Sequence, residues 1–336
     1  MTARPPMSPA SKAVAETVDL GLEATVVLSF SRVGCAVRRR VWSWSDPAVG
    51  SMAGKVVVVT GATSGLGLAA AKRFAELGAS IVAVGRDAAR LASARATIAG
   101  GGSPARVMAA RCDLTRLDDV HALAAQLGDE HDRIDVLVHN AGALAHTYER
   151  TPDHLEVTVQ THVVAPFLLT SLLLGRLEAT PGARVLTMAS GGMYAHGLGD
   201  LDVAPEDFDG VRTYALAKRA QVVLNEQWAR RHPSVSFQAL HPGWVDTPGL
   251  RTSLPAFARL AGPLLRTPEQ GVDTLVWLAT GEVAGNGGFW FDRRRRWTSK
   301  LPWTTTTAAD AERLWQWAVR SSGGTRPGPV EHGALR

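Results

Sequence analysis

The sequence predicts one doubly wound α/β domain, in which helices cover both faces of a parallel sheet. From residue 55 onward, short apolar runs rich in β-branched residues alternate with helix-length stretches. These runs are continuously apolar rather than alternating, which is typical of parallel strands that are buried on both faces. A glycine-rich turn follows the first run, and in such folds ligands bind beyond the carboxyl ends of the strands.

Seven runs are assigned to strands, at 55–60, 80–84, 105–110, 135–139, 183–188, 235–240 and 288–292. The clearest helices between them are predicted at 66–78 and 213–231. Together these elements define a single domain over residues 51–300. Residues 301–336 are predicted to form a C-terminal helix and then a loose tail, which is poor in core-forming residues.

The composition of the 336-residue chain, 46% hydrophobic and 20% charged, is that of a soluble globular protein. Its net charge of +5 is small for this length and does not indicate a nucleic-acid partner. The two cysteines, Cys35 and Cys112, lie in no metal-ligand spacing. We therefore expect no metal site, no disulfide framework and a reducing, cytoplasmic location.

An N-terminal extension, residues 1–50, is predicted to contain an amphipathic helix. Apolar residues at helical spacing form one stripe: Val14, Val18, Leu22, Val26, Phe30, Val33, Val37, Val41 and Trp44. Arg32 interrupts the apolar run, which is shorter than the roughly 20 residues that a membrane-spanning helix needs. Two roles fit residues 14–44: packing on their own domain or a second subunit, or a peripheral contact with an anionic membrane surface.

The stretch VVVVTGATSGLGLAAA (56–71) reads as a strand, a glycine-rich turn and a helix. Gly61, Gly65 and Gly67 allow a tight turn and a close approach of the backbone to a pyrophosphate. The helix that follows offers free N–H groups and the positive end of its dipole to the anion. This arrangement predicts a dinucleotide-binding, Rossmann-type domain.

Five motifs occur in an order that resembles the short-chain dehydrogenase/reductase family: TGATSGLG (60–67), HNAG (139–142), MAS (188–190), YALAK (214–218) and HPGWVDT (241–247). The resemblance covers roughly residues 51–300. The stretch 190–255 resembles more closely the branch of that family called member 12, which also carries an N-terminal extension. The resemblance implies an NAD(P)-dependent oxidoreductase that transfers a hydride between a nicotinamide and an alcohol or carbonyl group.

In this resemblance, three residues carry the catalysis. Tyr214 is the general acid/base, Lys218 binds the nicotinamide ribose and lowers the pKa of the tyrosine, and Ser190 hydrogen-bonds the reacting oxygen. The chemistry has a physical reason, since a phenol with a pKa near 10 needs a nearby cation to act as a base near neutral pH.

One position departs from the family pattern. His162 stands where the family has an asparagine that supports a helix bend and a water chain to the lysine, and Pro166 follows it. A histidine can relay protons and a proline can bend a helix. His162 therefore has two readings, a catalytic one and a purely structural one.

The resemblance also assigns the cofactor contacts. Besides Tyr214 and Lys218, these are Gly61, Ser64, Gly65, Leu66 and Gly67 at the pyrophosphate, Asp113 and Leu114 at the adenine, Asn140, Ala141 and Gly142 behind the cofactor, and Pro242, Gly243, Val245 and Thr247 at the carboxamide. After the second strand, Gly85 and Arg86 replace the acidic residue that selects NAD. An arginine can fork onto a 2′-phosphate, so we expect NADP, with NAD as the alternative.

Further expectations concern the charged run after the last strand, the substrate, the oligomeric state and the alternative to an enzyme. The run DRRRRWTSK (292–300) is expected to be a solvated face, or else to guard the pocket or touch an anionic surface. The apolar segment 248–265, where the family has its substrate lid, suggests a lipophilic alcohol or carbonyl substrate. The resemblance implies a homodimer through the helices of 153–178 and 213–231. The alternative to an enzyme is a non-catalytic NADP-binding sensor or scaffold on the same fold.

Overall fold

A computed structural model describes residues 7–100, 107–142 and 144–323 of the chain. A central sheet of eight strands has the order β3-β2-β1-β4-β5-β6-β7-β8. The strands are β1 Val56–Thr60, β2 Ser80–Gly85, β3 Val107–Arg111, β4 Val136–His139, β5 Arg184–Met188, β6 Ser236–Leu240, β7 Gly288–Phe291 and β8 Arg294–Arg295. The doubly wound sheet and its seven parallel strands are confirmed, although residues 105 and 106 of the predicted third strand lie outside the described part.

Helices cover both faces of the sheet. They are α1 Pro9–Glu23, α2 Val26–Phe30, α3 Arg32–Val41, α4 Gly65–Glu76, α5 Ala88–Ala99, α6 Leu117–Glu130, α7 Val157–Glu178, α8 Gly210–Arg231, α9 Pro248–Ser253, α10 Pro255–Ala261, α11 Pro268–Thr280 and α12 Ala308–Ser321. One core cluster lies between the sheet and α4, α5 and α11, and the other between the sheet and α6, α7, α8 and α12.

Strand β1 shows why the continuous apolar pattern predicted a parallel sheet. It pairs in parallel with β2 on one side and β4 on the other. Val57, Val58 and Val59 are completely buried, because successive side chains enter opposite core clusters. Both faces of the strand are therefore apolar, which removes the alternation expected of a half-exposed strand.

The charged run after β7 does not form the solvated face that the sequence predicted. Asp292 and Arg293 adopt positive φ angles of 51° and 57° and turn the chain back into β8, which pairs antiparallel with β7. Asp292 is buried against Arg38 and Arg266, and Arg296 forms an ion pair with Asp19. Asp292 and Arg296 leave the surface because Arg38 and Asp19 of the distant N-terminal extension pair with them, whereas Arg295 and Trp297 of the run stay exposed.

The N-terminal extension forms three short helices rather than one. Ser31 separates α2 from α3, and its hydroxyl accepts hydrogen bonds from the first backbone N–H groups of α3. The buried face of the extension carries the charges of Asp19 and Arg38, whereas Val26 and Val33 of the predicted apolar stripe are exposed. The extension packs on its own domain through charged groups and through Phe30, whereas Val14, Val26 and Val33 of the stripe face outward.

Helix α7 is long and apolar enough to cross a membrane by length and composition, but most of it is buried inside the domain. It is therefore a core helix, and α12 packs across it and α8. The ring of Trp315 lies 5.0 Å from that of Phe167 and 4.8 Å from that of Trp228. The homodimer through these helices remains a prediction, and α12 occupies part of the surface that it would use. The predicted tail, 324–336, lies outside the described residues.

Candidate active site

The glycine-rich turn forms the floor of a cleft at the carboxyl end of β1. Gly61 and Gly65 have positive φ angles of 68° and 53°, which L side chains rarely adopt. Gly67 lies so close to the carbonyl oxygen of Gly61 that a side chain there would collide with it. Helix α4 begins at Gly65, so its first N–H groups and the positive end of its dipole lie at this turn.

Thr60 fixes the position of one wall of the cleft, the segment Asn140–Gly142 after β4. The Thr60 hydroxyl accepts hydrogen bonds from the backbone N–H groups of Asn140 (3.0 Å) and Ala141 (3.1 Å). The Asn140 amide donates to the carbonyl oxygen of Thr60 at 2.9 Å. These bonds tie the segment after β4 to the glycine-rich turn, so that the turn and Asn140–Gly142 form one rigid surface.

Three arginines gather at the outer end of the cleft. Arg86 follows β2, and its carbonyl oxygen accepts a hydrogen bond from Arg111 Nε at 3.1 Å. Arg90 Nη2 donates to the hydroxyl of Ser64 at 3.2 Å, while the N–H of Arg90 is capped by Asp87. Sequence reasoning missed Arg90, although its position in the first turn of the helix that follows Arg86 places it near the end of β2.

The cleft has a volume of about 350 Å³. Twelve of the predicted cofactor residues line it: Gly61, Ser64, Gly65, Leu66, Gly67, Arg86, Asp113, Leu114, Asn140, Ala141, Gly142 and Thr247. Thr60, Thr63, Arg90 and Thr161 line it as well and were not predicted. The other five predicted contacts, Tyr214, Lys218, Pro242, Gly243 and Val245, lie outside this lining. The side chain of Val245 points at α11, because a Cβ on Gly271 would lie 2.7 Å from it.

Tyr214 and Lys218 lie one turn apart on α8, facing the end of β5. Lys218 is buried, and its ammonium donates to the carbonyl oxygen of Met188 at 2.8 Å and lies 5.5 Å from the centre of the Tyr214 ring. The side chain of Ser190, two residues beyond β5, lies close enough to the Tyr214 hydroxyl to lower its pKa. The structure thus brings the three predicted catalytic side chains together.

The predicted lowering of the Tyr214 pKa by Lys218 is not found in this geometry. Burial raises the pKa of Tyr214, and the nearby side chain of Ser190 offsets only part of that increase. Burial also lowers the pKa of Lys218 to about 7. Both shifts favour the neutral form of each group, because a desolvated charge is costly.

His162 lies in a π-helical turn of α7, Gln160–Val164, which ends two residues before Pro166. Proline has no N–H, so it cannot donate the α-helical hydrogen bond to the carbonyl oxygen of His162. Gln221 of α8 donates to that oxygen instead, at 2.8 Å. The His162 ring meets the Tyr214 ring edge-on, with the ring centres 5.3 Å apart. A π-helical turn stands where the sequence predicted a bend, and His162 within it contacts the tyrosine ring.

Among the described residues, no group of three or more His, Cys, Asp or Glu side chains is arranged to hold a metal ion. Cys35 and Cys112 are buried and unpaired with each other. Burial raises the pKa of Cys35 to about 11, so its thiol stays protonated near neutral pH.

A family model described as short chain dehydrogenase matches residues 55–256. The chain therefore belongs to the short-chain dehydrogenase/reductase family and is an NAD(P)-dependent oxidoreductase of that family. Its resemblance to the member 12 branch is confirmed: it is 38% identical over 263 residues to dehydrogenase/reductase SDR family member 12 of Bos taurus, covering 77% of this chain and 83% of the relative.

Retinol dehydrogenase 12 of Bos taurus is 32% identical over 274 residues, covering 78% of this chain and 84% of the relative. Among solved structures, a protein from Beutenbergia cavernae described as an NAD(P)-dependent gluconate 5-dehydrogenase has NADP bound at low occupancy. It is 29% identical with a TM-score of 0.57, and the match covers 69% of this chain and 92% of that one. A Mycobacterium paratuberculosis structure, 24% identical with a TM-score of 0.65 over 83% and 98% of the two chains, shares the fold.

Proposed function

We propose that this protein uses NADP(H) to interconvert an alcohol and a carbonyl group on a lipophilic substrate. The observation that carries this proposal is the assembly of Ser190, Tyr214 and Lys218 at the end of β5, next to a cleft with the geometry of a dinucleotide site. In their family roles, Tyr214 supplies the proton and Ser190 orients the substrate oxygen.

The residues of the cleft fit NADP. The turn Gly61–Gly67 and the N-terminus of α4 would hold the pyrophosphate, Asp113 and Leu114 the adenine, and Lys218 the nicotinamide ribose. When bound, the cofactor supplies or accepts the hydride at its nicotinamide ring.

Side chains of the protein donate and transfer the proton. In the reductive direction, the Tyr214 hydroxyl donates a proton to the substrate oxygen, while the Ser190 hydroxyl donates a hydrogen bond to the same oxygen and stabilises its developing charge. The raised pKa of Tyr214 keeps the phenol protonated and ready to donate. The His162 ring packs edge-on against the tyrosine ring, which supports a role for the histidine in passing protons to it.

We propose NADP rather than NAD because the acidic residue that selects NAD has no room here. A Cβ on Gly85 would lie 2.8 Å from Thr63 Cγ2 and 3.3 Å from Leu91 Cδ2, so the end of β2 accepts no side chain. Arg86 and Arg90 line the same end of the cleft and offer guanidinium groups for a 2′-phosphate. Titration of the protein with both cofactors tests this, and NAD binding as tight as NADP would contradict it.

A lipophilic substrate fits the segment between β6 and α11. Trp244 and Phe257 pack edge-to-face with ring centres 5.0 Å apart, and α9 and α10 carry few charged residues between them. The similarity to retinol dehydrogenases points to the same substrate class. The test measures NADPH oxidation with ketones and aldehydes of increasing chain length. Binding of NADP without turnover of any of them would favour the non-catalytic sensor or scaffold instead.

We further propose that the N-terminal extension contacts a membrane surface peripherally and that the protein forms a homodimer. Val26, Val27, Leu28 and Val33 are exposed on α2 and α3 and support the membrane contact. An alkaline carbonate wash should release the protein from membranes, and light scattering reports its oligomeric state. Retention after the wash would contradict a peripheral contact, and a monomeric mass would contradict the dimer.

A further inference from the structure

The N-terminal extension reaches the carboxyl ends of the last three parallel strands. At the junction of α2 and α3, the ring of Phe30 lies 4.7 Å from that of His241, 5.9 Å from that of Trp244 and 5.3 Å from that of Phe291. His241 follows β6, and Phe291 ends β7. Phe30 is therefore embedded at the edge of the sheet where the proposed active site lies.

Phe30 also touches the segments on either side of the proposed reaction centre. A Cβ on Gly191, the residue after Ser190, would lie 2.5 Å from Cε2 of the Phe30 ring. The carbonyl oxygen of Phe30 accepts a hydrogen bond from the N–H of Trp244 at 2.9 Å, just beyond the Pro242–Gly243 segment. The ring and backbone of Phe30 thus fill the space between the segments after β5 and β6.

A buried ion network fixes Phe30 in this position. Arg38 is completely buried and forms ion pairs with Asp19 at 2.6 Å and with Asp292 at 2.8 Å. Asp292 is shared with Arg266, which lies 2.6 Å from its other oxygen. Arg266 also donates to the carbonyl oxygens of Ser29 and Phe30, both at 3.0 Å. We call these four charged residues, Asp19, Arg38, Arg266 and Asp292, the clamp.

The clamp also holds the base of the lid segment, residues 248–265. The N–H of Arg266 donates to the carbonyl oxygen of Trp244 at 2.7 Å, and the N–H of Asp246 donates to the carbonyl oxygen of Arg266 at 2.9 Å. Arg266 therefore joins the entry and the exit of the lid to the backbone of Phe30. Arg266 thus contacts the extension through its guanidinium group and the base of the lid through its backbone.

We propose that Phe30 is a specificity-determining residue, whose ring forms the wall of the substrate site beside Ser190 and limits the size of the group next to the reacting carbon. This inference rests on the proposed oxidoreductase function. A smaller side chain at position 30 would open space between Gly191, His241 and Trp244. A difference of one methylene in such a wall changes selectivity by about 10–200-fold.

The test compares wild type with Phe30→Leu on cyclohexanone, 2-decalone and a steroid 3-ketone, measuring kcat/KM from NADPH oxidation. We expect the ratio of kcat/KM for the steroid ketone to that for cyclohexanone to rise at least about tenfold, with NADP affinity unchanged. Val27→Ala, on the exposed face of α2, is the matched control and should leave the ratio unchanged. Phe30→Met replaces the leucine variant if the latter does not fold.

A reciprocal variant tests the contact itself. Gly191→Ala should reduce turnover in the wild-type background, because its methyl group meets the Phe30 ring. The same change should be tolerated in the Phe30→Leu background, which a double-mutant cycle detects as coupling. Equal effects of Gly191→Ala in the two backgrounds would overturn the inference.

The proposed oxidoreductase function and the proposed role of Phe30 can be contradicted independently of each other. A wild-type protein that binds NADP but oxidises no NADPH with any ketone would contradict the proposed function. In that case, calorimetric binding of 2-decalone and the steroid ketone to the NADP complex tests the wall alone. An unchanged selectivity ratio in folded Phe30→Leu, or unchanged binding of both ketones, would overturn the role of Phe30.

Discussion

The protonation states of Tyr214 and Lys218 depend on burial, and their closeness depends on their spacing along α8. The i,i+4 relation could be predicted from the sequence, since two residues one turn apart share a helix face. The hydrogen bond from Lys218 to Met188 could not, because it depends on how α8 docks on the end of β5. The same holds for Arg90, whose contact with Ser64 needs α5 to fold back over the glycine-rich turn.

Tyr214→Phe should abolish nearly all turnover while leaving the fold and NADP binding intact. The change removes only the hydroxyl that exchanges the proton, and general acid–base catalysis is worth about 10²–10⁴-fold. Steady-state kinetics with an active ketone measures the loss. Tyr194→Phe is the control, because the Tyr194 hydroxyl is buried without a hydrogen-bond partner among the described residues. Wild-type turnover in Tyr214→Phe would refute the proposed mechanism.

Lys218 should make stability depend on pH. The unfolded chain holds this proton up to its ordinary pKa of 10.5, whereas the folded protein releases it near 7. The unfolded state therefore binds more protons between pH 7 and 10.5, and the free energy of unfolding should rise with pH by at most about 1.4 kcal/mol per unit.

Urea unfolding of wild type and Lys218→Met between pH 7 and 9.5 measures that contribution. Lys218→Met should lack this rise. Its free energy of unfolding should therefore fall relative to that of wild type as pH increases. It should also bind NADP more weakly, because the ammonium that holds the ribose is gone. Parallel pH profiles of the two proteins would show that Lys218 is not desolvated as described.

Arg90→Ala should weaken NADP binding by roughly 10–100-fold and leave NAD binding almost unchanged. A hydrogen bond to a charged group is worth about 1.5–3 kcal/mol, and only NADP carries the 2′-phosphate. Fluorescence titration with both cofactors provides the measurement. The control is Arg95→Ala, on the exposed surface of the same helix. An equal loss for NAD and NADP would place Arg90 elsewhere on the cofactor.

At the scale of elements, an irregular turn in α7 could be predicted and the break in the N-terminal helix could not. Pro166 is visible in the sequence, and a missing N–H has a known effect on the helix before it. The division of 14–44 into α1, α2 and α3 depends on Ser31 capping α3 and on Gly34 packing against the end of α2. The sequence alone does not show that Ser31 separates two helices, because that role depends on contacts with distant residues that hold the chain in place.

Pro166→Ala should make this turn of α7 regular and lower turnover without loss of NADP binding. Alanine supplies the N–H that can pair with the carbonyl oxygen of His162, in competition with Gln221, and this would turn the His162 ring away from Tyr214. Hydrogen exchange over 160–166 should slow while kcat falls. Pro268→Ala is the control, because that proline lies in the first turn of α11, where its missing N–H costs nothing. Unchanged exchange and kcat would show that Pro166 does not set the irregular turn.

At the scale of the whole molecule, the extension belongs to the folded domain. The boundary predicted at residue 50 rests on composition, because it lies within DPAVGSMAG (46–54), a linker-like stretch that contains Pro, Gly and Ser. The clamp crosses that boundary through charged residues, which sequence patterns assign to the surface. Arg38 and Asp292 are 254 positions apart, so no local pattern reports that each is buried because of the other.

Arg38→Met should destabilise the protein by about 3–5 kcal/mol, because it leaves buried carboxylates with one counter-charge fewer. Urea unfolding gives the free energy. Arg39→Met is the matched control: Arg39 lies next along α3, and its pair with Asp46 is exposed, so the cost there should stay below about 1 kcal/mol. A similar, small effect of both substitutions would show that the clamp contributes little to stability.

The distance along the chain between the two halves of the clamp sets the order in which the protein is made and folded. At about 5–20 residues per second, the ribosome needs roughly 13–50 s to pass from Arg38 to Asp292. During that time α1–α3 have neither Asp292 nor Arg266 to bind, and Phe30 has neither β6 nor β7 to pack against. The segment that is synthesised first therefore cannot complete its docking until Asp292 has been made. The substrate wall that Phe30 provides is completed only when the final parallel strand has joined the sheet.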